Sequence, residues 1–206
     1  MARLARILGS DNPLSEFYKA QSVLPLNKHA WREQEYLAVD LETTGLDSAQ
    51  HEIISMGWVG ISQGGLLLKS AEHHIVHSQK SVSDSAQYHL IRDVDVRNGE
   101  SIEIVMGRLL SCLSGRIAIF HNAKLDEAFL NVVARRIYGC EMVIPTVDTM
   151  KLEHDKLRRL NHPFSVNDLR LFKCRERYHL PQYASHNALI DAIATAELYL
   201  AIMAHH

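Results

Sequence analysis

Asp40 and Glu42 are the first residues of the 206-residue chain whose types and spacing suggest chemistry. They close a short apolar run, Tyr36-Leu37-Ala38-Val39-Asp40-Leu41-Glu42, of a length that suits a buried strand. Residues two apart on a strand point to one face. Two like charges there repel, and they resist burial unless protons or cations are supplied. Carboxylates are hard oxygen ligands, so Mg²⁺ or Mn²⁺ is the economical partner. The competing reading is a solvated strand end with two surface acids.

The chain as a whole narrows the choice. At 206 residues and 47% hydrophobic composition it suits one globular domain with a substantial core. Lys and Arg number 22 against 24 Asp and Glu, so no global polycation announces nucleic acid. Cys112, Cys140 and Cys174 are odd in number and widely spaced. They form no metal-type pair and suggest reduced, buried thiols in a cytoplasmic protein. No apolar run approaches the roughly 18 residues of a membrane span, and residues 1–9 are too short and too basic for a secretory signal.

The elements that must position the acids follow from periodicity. Residues 1–35 read as a partly helical N-terminal extension and 36–206 as the main domain. Residues 52–77 give two or three strands around the Gly64-Gly65 turn, an antiparallel meander with the 36–42 strand. His73, His74 and His77 read there as a solvated edge. A short helix is expected at 83–91, a loop at 93–99, and a helix at 100–113 with Ile102, Val105, Met106, Leu109, Leu110 and Leu113 on one face. A buried strand, 116–120, delivers His121-Asn122-Ala123-Lys124-Leu125-Asp126 and a helix to Tyr138. A short strand is expected at 141–144, then helical stretches after Val147-Asp148-Thr149 and at 166–172. The last helix, 187–204, carries the apolar stripe Leu189, Ile193, Ala196, Leu200 and Met203. Asp191 lies off that stripe among small residues, which would let the helix approach a sheet closely. Alternating strands and helices after an antiparallel start give a mixed α/β sandwich. Between residues 151 and 177, eight Lys or Arg outnumber four acids. They read equally as a solvated face or a phosphate track.

Asp40, Glu42, Asp126, Asp191 and His186 each emerge from, or beside, an element that should be buried, which lowers the surface-acid reading sharply. These residues also carry a resemblance. Val39-Asp40-Leu41-Glu42-Thr43-Thr44-Gly45-Leu46, His121-Asn122-Ala123-Lys124-Leu125-Asp126 and His186-Asn187-Ala188-Leu189-Ile190-Asp191 resemble, in order, the three motifs of the DEDDh exonucleases. That DnaQ-like family includes the proofreading ε-subunit of bacterial DNA polymerase III. Tyr88-His89-Leu90-Ile91 and Val147-Asp148-Thr149 resemble two auxiliary segments. Leu125 stands where the family often has Phe, a departure that bears on base or sugar packing and not on metal binding. No long tail follows the last helix, which weighs against a proofreading-subunit role.

The resemblance implies a ribonuclease H-like mixed sheet flanked by helices. It implies hydrolysis of the terminal 3′ phosphodiester of single-stranded or frayed DNA, releasing nucleoside 5′-monophosphates. Two divalent cations, Mg²⁺ or Mn²⁺, would be held by Asp40, Glu42, Asp126 and Asp191, stabilising attacking and leaving oxygens. His186 would be the general base. Thr43, Thr44, Gly45, Leu46, His89, His121 and Asn122 would contact the substrate. An exoribonuclease of the same chemistry, or a non-catalytic nucleic-acid or clamp-binding module, are the alternatives. A zinc hydrolase finds no ligand spacing among the histidines and cysteines. Gln21-Ser22-Val23-Leu24-Pro25-Leu26 loosely resembles glutamine-led sliding-clamp peptides and implies a weak clamp contact, although plain apolar packing suits it better.

Overall fold

In the computed structural model, the described residues are 12–21, 31–80, 91–184 and 186–205. A five-stranded mixed sheet has the order β3-β2-β1-β4-β5. Strands β1 (Tyr36–Thr43), β2 (Ile53–Ser62) and β3 (Gly65–Ile75) form the expected antiparallel meander. β4 (Ile117–Phe120) and β5 (Thr146–Asp148) continue it in parallel beside β1. Parallel neighbours need a crossover, here the helix α4 (Ala123–Tyr138) between β4 and β5.

Strand alternation divides the core into two layers. Leu37 and Val39 face one side, where they pack with Met56, Trp58 and helix α3 (Ile102–Leu113). Tyr36 and Ala38 face the other, against Ala196 and Tyr199 of helix α7 (Ala188–Ala204). By this parity Asp40 and Glu42 belong to the α7 side. All six apolar residues expected on α3 are buried, and Ser101 caps the helix by accepting from the Ile104 amide. Helix α1 (Pro13–Gln21) sinks Leu14 and Phe17 into the same layer.

Several expectations are corrected. The strand expected at 141–144 is irregular, and the parallel partner of β4 begins only after Pro145. Proline cannot donate to a ladder, so pairing restarts beyond it. Residues 93–99 are not a loop throughout: Asp93–Arg97 form helix α2, started by the Arg92 amide donating to the Asp95 carboxylate at 3.0 Å. The stretch 166–172 splits into a 3₁₀ turn (Val166–Leu169) and helix α6 (Leu171–Arg177), which follows helix α5 (Thr149–Arg159). The helix expected at 83–91 falls, but for Ile91, outside the described residues, and Ile91 carries no regular structure.

The buried residues of α7 are Ala188, Ala192, Ala194, Thr195, Ala196, Leu198, Tyr199 and Ile202; of the expected stripe Ala196 is fully buried, and Ile193, Leu200 and Met203 pack partly buried against the same layer. The close approach at the start of the helix is set by Gly57 of β2. A Cβ there would lie 2.3 Å from the Ala188 carbonyl carbon and 2.2 Å from the Leu189 amide nitrogen. The first turn of the helix rides directly on sheet backbone, with small Ala188 buried there. His74 is likewise no solvated edge. It is buried, stacked on Trp58 with ring centroids 4.8 Å apart, and bonded to Glu100 at 2.7 Å and Glu72 at 3.0 Å.

Candidate active site

Each acid arrives by a distinct local device. Asp40 lies opposite Gly57 and Glu42 opposite Ser55, and the β1–β2 register shifts immediately after Glu42. That irregularity ends the ladder where the chain must turn away from the sheet. Asp126 is in the first turn of α4, which Asn122 starts in a left-handed conformation, φ 78°. Asp191 is in the first turn of α7. His186 also has positive φ, 69°, and its amide donates to the Asp191 carboxylate at 2.6 Å. The five-residue separation is therefore what lets the loop amide reach one turn into the helix, while Asn187 caps α7 through the Ile190 amide at 3.2 Å.

The structure brings Asp40, Glu42 and Asp191 together: one carboxylate oxygen from each lies within 4.8 Å of the others. Asp126 stands beside this trio, accepting from the Leu41 amide, and is the strongest like-charge neighbour of Asp40. Burial pushes all four carboxyls upward. Asp40 is held well above the ordinary range by burial, then by Asp126, Asp191 and Glu42. Glu42 rises to about 8 through burial and Asp191. Asp126 is also well above the range, chiefly through burial. Asp191 is raised by burial, against the opposing pull of the His186 amide and charge, the Asn187 amide and Arg175. Four desolvated acids this close fit divalent cations chemically: an all-oxygen donor set whose repulsion a hard cation would reverse.

A cavity of about 530 Å³ opens on Asp40, Asp191 and His186. Asn122 and His121 are in its wall. Both His121 ring nitrogens are engaged, Nδ1 with the Thr149 hydroxyl and Nε2 with the Leu169 carbonyl, each at 2.8 Å. Thr43 donates to the Gly45 carbonyl, Thr44 receives the Glu52 amide, and a Cβ on Gly45 would strike the His51 ring. Leu46 projects from that tight turn with 79% of its surface exposed. His89 lies outside the described residues. So does most of the clamp-like segment; its Gln21 amide donates inward to the Leu113 and Arg116 carbonyls.

Two positioning residues escape the sequence reading. Asp148 accepts from the amides of Asn122 and Ala123 at the start of α4 and of Met150 and Lys151 at the start of α5. An Asp before a helix start is a capping signal, but its second helix is invisible in sequence. Arg175, counted above within a basic track, is buried. It donates to the Ala194 and Pro181 carbonyls and to Glu197. Arg177 similarly serves Glu153, so the track is partly an internal scaffold.

A family model described as Exonuclease, RNase_T, matches residues 37–199. The PolC-type DNA polymerase III of Thermotoga maritima is 31% identical over 80% of this chain, and that of Staphylococcus aureus strain MW2 is 25% identical over 89%. The chain spans only 12% of the length of either. Among solved structures, the nuclease domain of 3′hExo, a DEDDh family member bound to rAMP, superposes with TM-score 0.70 at 13% identity, covering 85% of this chain and 94% of that one. Exonuclease I of E. coli in complex with a dT13 oligonucleotide gives 0.66 at 15% identity, covering 81% and 40%. The chain belongs to the RNase_T exonuclease family, and it has the ribonuclease H-like fold of these neighbours.

Proposed function

We propose that the chain removes nucleotides from single-stranded or frayed 3′ ends of DNA by a two-cation mechanism with His186 as general base. The observation that carries this is the convergence of Asp40, Glu42 and Asp191 beside Asp126, with one cavity joining Asp40 and Asp191 to His186. Those four acids would hold Mg²⁺ or Mn²⁺. The cations would supply the positive charge that offsets the phosphodiester and the oxygens that attack and leave.

The chain's own groups do the rest. Asp40 is central, since the other three acids all act on its charge. His186 is exposed on its loop, and its backbone amide is pinned to the Asp191 carboxylate, which fixes where the residue stands beside the acids. It takes the proton of the attacking water. Residues 43–46 form a tight turn beside the acids, and exposed Leu46 packs on the terminal base. Asn122 and His121 shape the opposite wall. The DNA polymerase III relatives support DNA as substrate. Exoribonuclease action is the second reading, favoured by a neighbour bound to rAMP and by another described as recognising a histone mRNA stem-loop.

The test is product release from a 5′-labelled DNA oligomer, and from RNA of the same sequence, with Mg²⁺, Mn²⁺ or EDTA. A metal-dependent ladder shortening from the 3′ end, faster on DNA, is expected. No cleavage of either by folded, metal-loaded protein would overturn the reading. His186→Ala should cut the rate at least about 10²-fold with Mn²⁺ affinity by calorimetry preserved; a parent-like rate would end the general-base role.

A further inference from the structure

We propose that Tyr183, flanked by Phe172 and Arg170, stacks the base of the nucleotide on the 5′ side of the scissile phosphodiester. This rests on the exonuclease reading above. The cavity leads from Asp40 and Asp191 past His186 to Tyr183, and residues 43–46 do not line it. With the terminal nucleoside against that turn, the remaining strand leaves the acids by the other side, through this cavity.

Tyr183 is built as a platform. Its hydroxyl donates to Glu197 at 3.0 Å, and the Arg175 guanidinium lies 4.7 Å from its ring centroid. Arg175 is only 2% exposed, locked by bonds of 2.6 Å to Ala194 and 2.7 Å to Pro181 and Glu197. A cation thus backs one ring face from within, while 39% of the residue remains exposed at the cavity. Phe172 adds a second aromatic, 42% exposed, and Gln182 ties its backbone to the Tyr183 loop through a 3.2 Å bond. Arg170 is exposed on the same wall and supplies positive charge for a phosphate. Stacking tolerates every base, because each has a π-face, and an enzyme that steps along a strand needs that tolerance.

Three substrates separate the outcomes: a DNA oligomer, the same oligomer abasic at the nucleotide before the 3′-terminal one, and the p-nitrophenyl ester of thymidine 5′-monophosphate. Tyr183→Ala should lower the ratio of kcat/KM on the oligomer to that on the ester about 10-fold. The parent should lose a similar factor on the abasic oligomer, where the variant loses little more. Tyr183→Phe should keep the parent's ratio, and Phe172→Ala should lower it about 3-fold. An unmoved ratio in both alanine variants would overturn the subsite while leaving the exonuclease reading intact. Equal losses on all three substrates in both would reduce these rings to scaffold and overturn it too. A folded, metal-loaded parent inactive on every substrate would sink the exonuclease reading, and the subsite with it.

Discussion

Two clusters of acids in this molecule are handled in opposite ways. On the β3–α3 side, Glu100 bonds to His74 and pairs with Arg108, each at 2.7 Å, and Glu72 pairs with His74 at 3.0 Å. The Glu100 carboxyl is held below the ordinary range, first by its bond to His74 and then, against slight burial, by Arg108. At the end of β1 the same residue class is pushed the other way. Asp40, Glu42 and Asp126 rise through burial, and like-charge neighbours raise each further. The first cluster is neutralised by the chain itself. The second gathers like charges, and on the two-cation proposal an external cation would balance it, so its cost in stability would be recovered as binding energy.

The largest effect that would break this contrast is at Asp40. Asp40→Asn should lower turnover at least about 10³-fold. In EDTA at neutral pH it should raise Tm, because the cost of burying an acid whose folded form must hold its proton is gone; a lower Tm would mean the acids are satisfied internally. Gly57→Ala comes next. Its methyl meets backbone 2.2–2.3 Å away, so α7 and Asp191 must shift. A displacement near 1 Å costs about 10²-fold in activity, to be read as kcat/KM, with about 1–3 kcal/mol lost by denaturant unfolding.

The pH dependence of the metal-free protein sharpens the comparison. Glu42 moves from an ordinary 4.5 to about 8 in the folded chain. The folded state therefore holds this proton more tightly. Its contribution is full below the ordinary value and is lost as pH rises through about 8. Tm in EDTA should fall by about 5 °C or more between pH 5 and pH 9, and Mn²⁺ should flatten the fall. Parallel curves with and without metal would sink the idea. Arg108→Met should have the smallest effect, about 1 kcal/mol or 2–4 °C, with activity within about twofold of the parent.

The acids are legible in sequence because their spacing is local. Asp40 and Glu42 share a strand face, and His186 and Asp191 share a cap, so short windows show both. The helix α3 face is legible because it contacts one apolar layer. What stays hidden depends on distant partners. The close seat of the start of α7 depends on Gly57, 131 positions before Ala188, and no periodicity within the helix reveals it. His74 reads as an edge residue until α3 covers β3. Arg175 reads as surface charge until Glu197 and two carbonyls enclose it.

Asp148 has one more consequence. Two helix N-termini converge on it, and such ends attract anions, phosphates above all. The protein fills that seat with its own carboxylate, spread over four amides of α4 and α5. If the chain acts on nucleic acid as proposed, an incoming phosphate would meet no vacant amide nest at Asp148 beside the acids. On the exonuclease proposal the single strand is thereby denied a decoy, and its phosphate would be drawn instead to the cations held by the four acids.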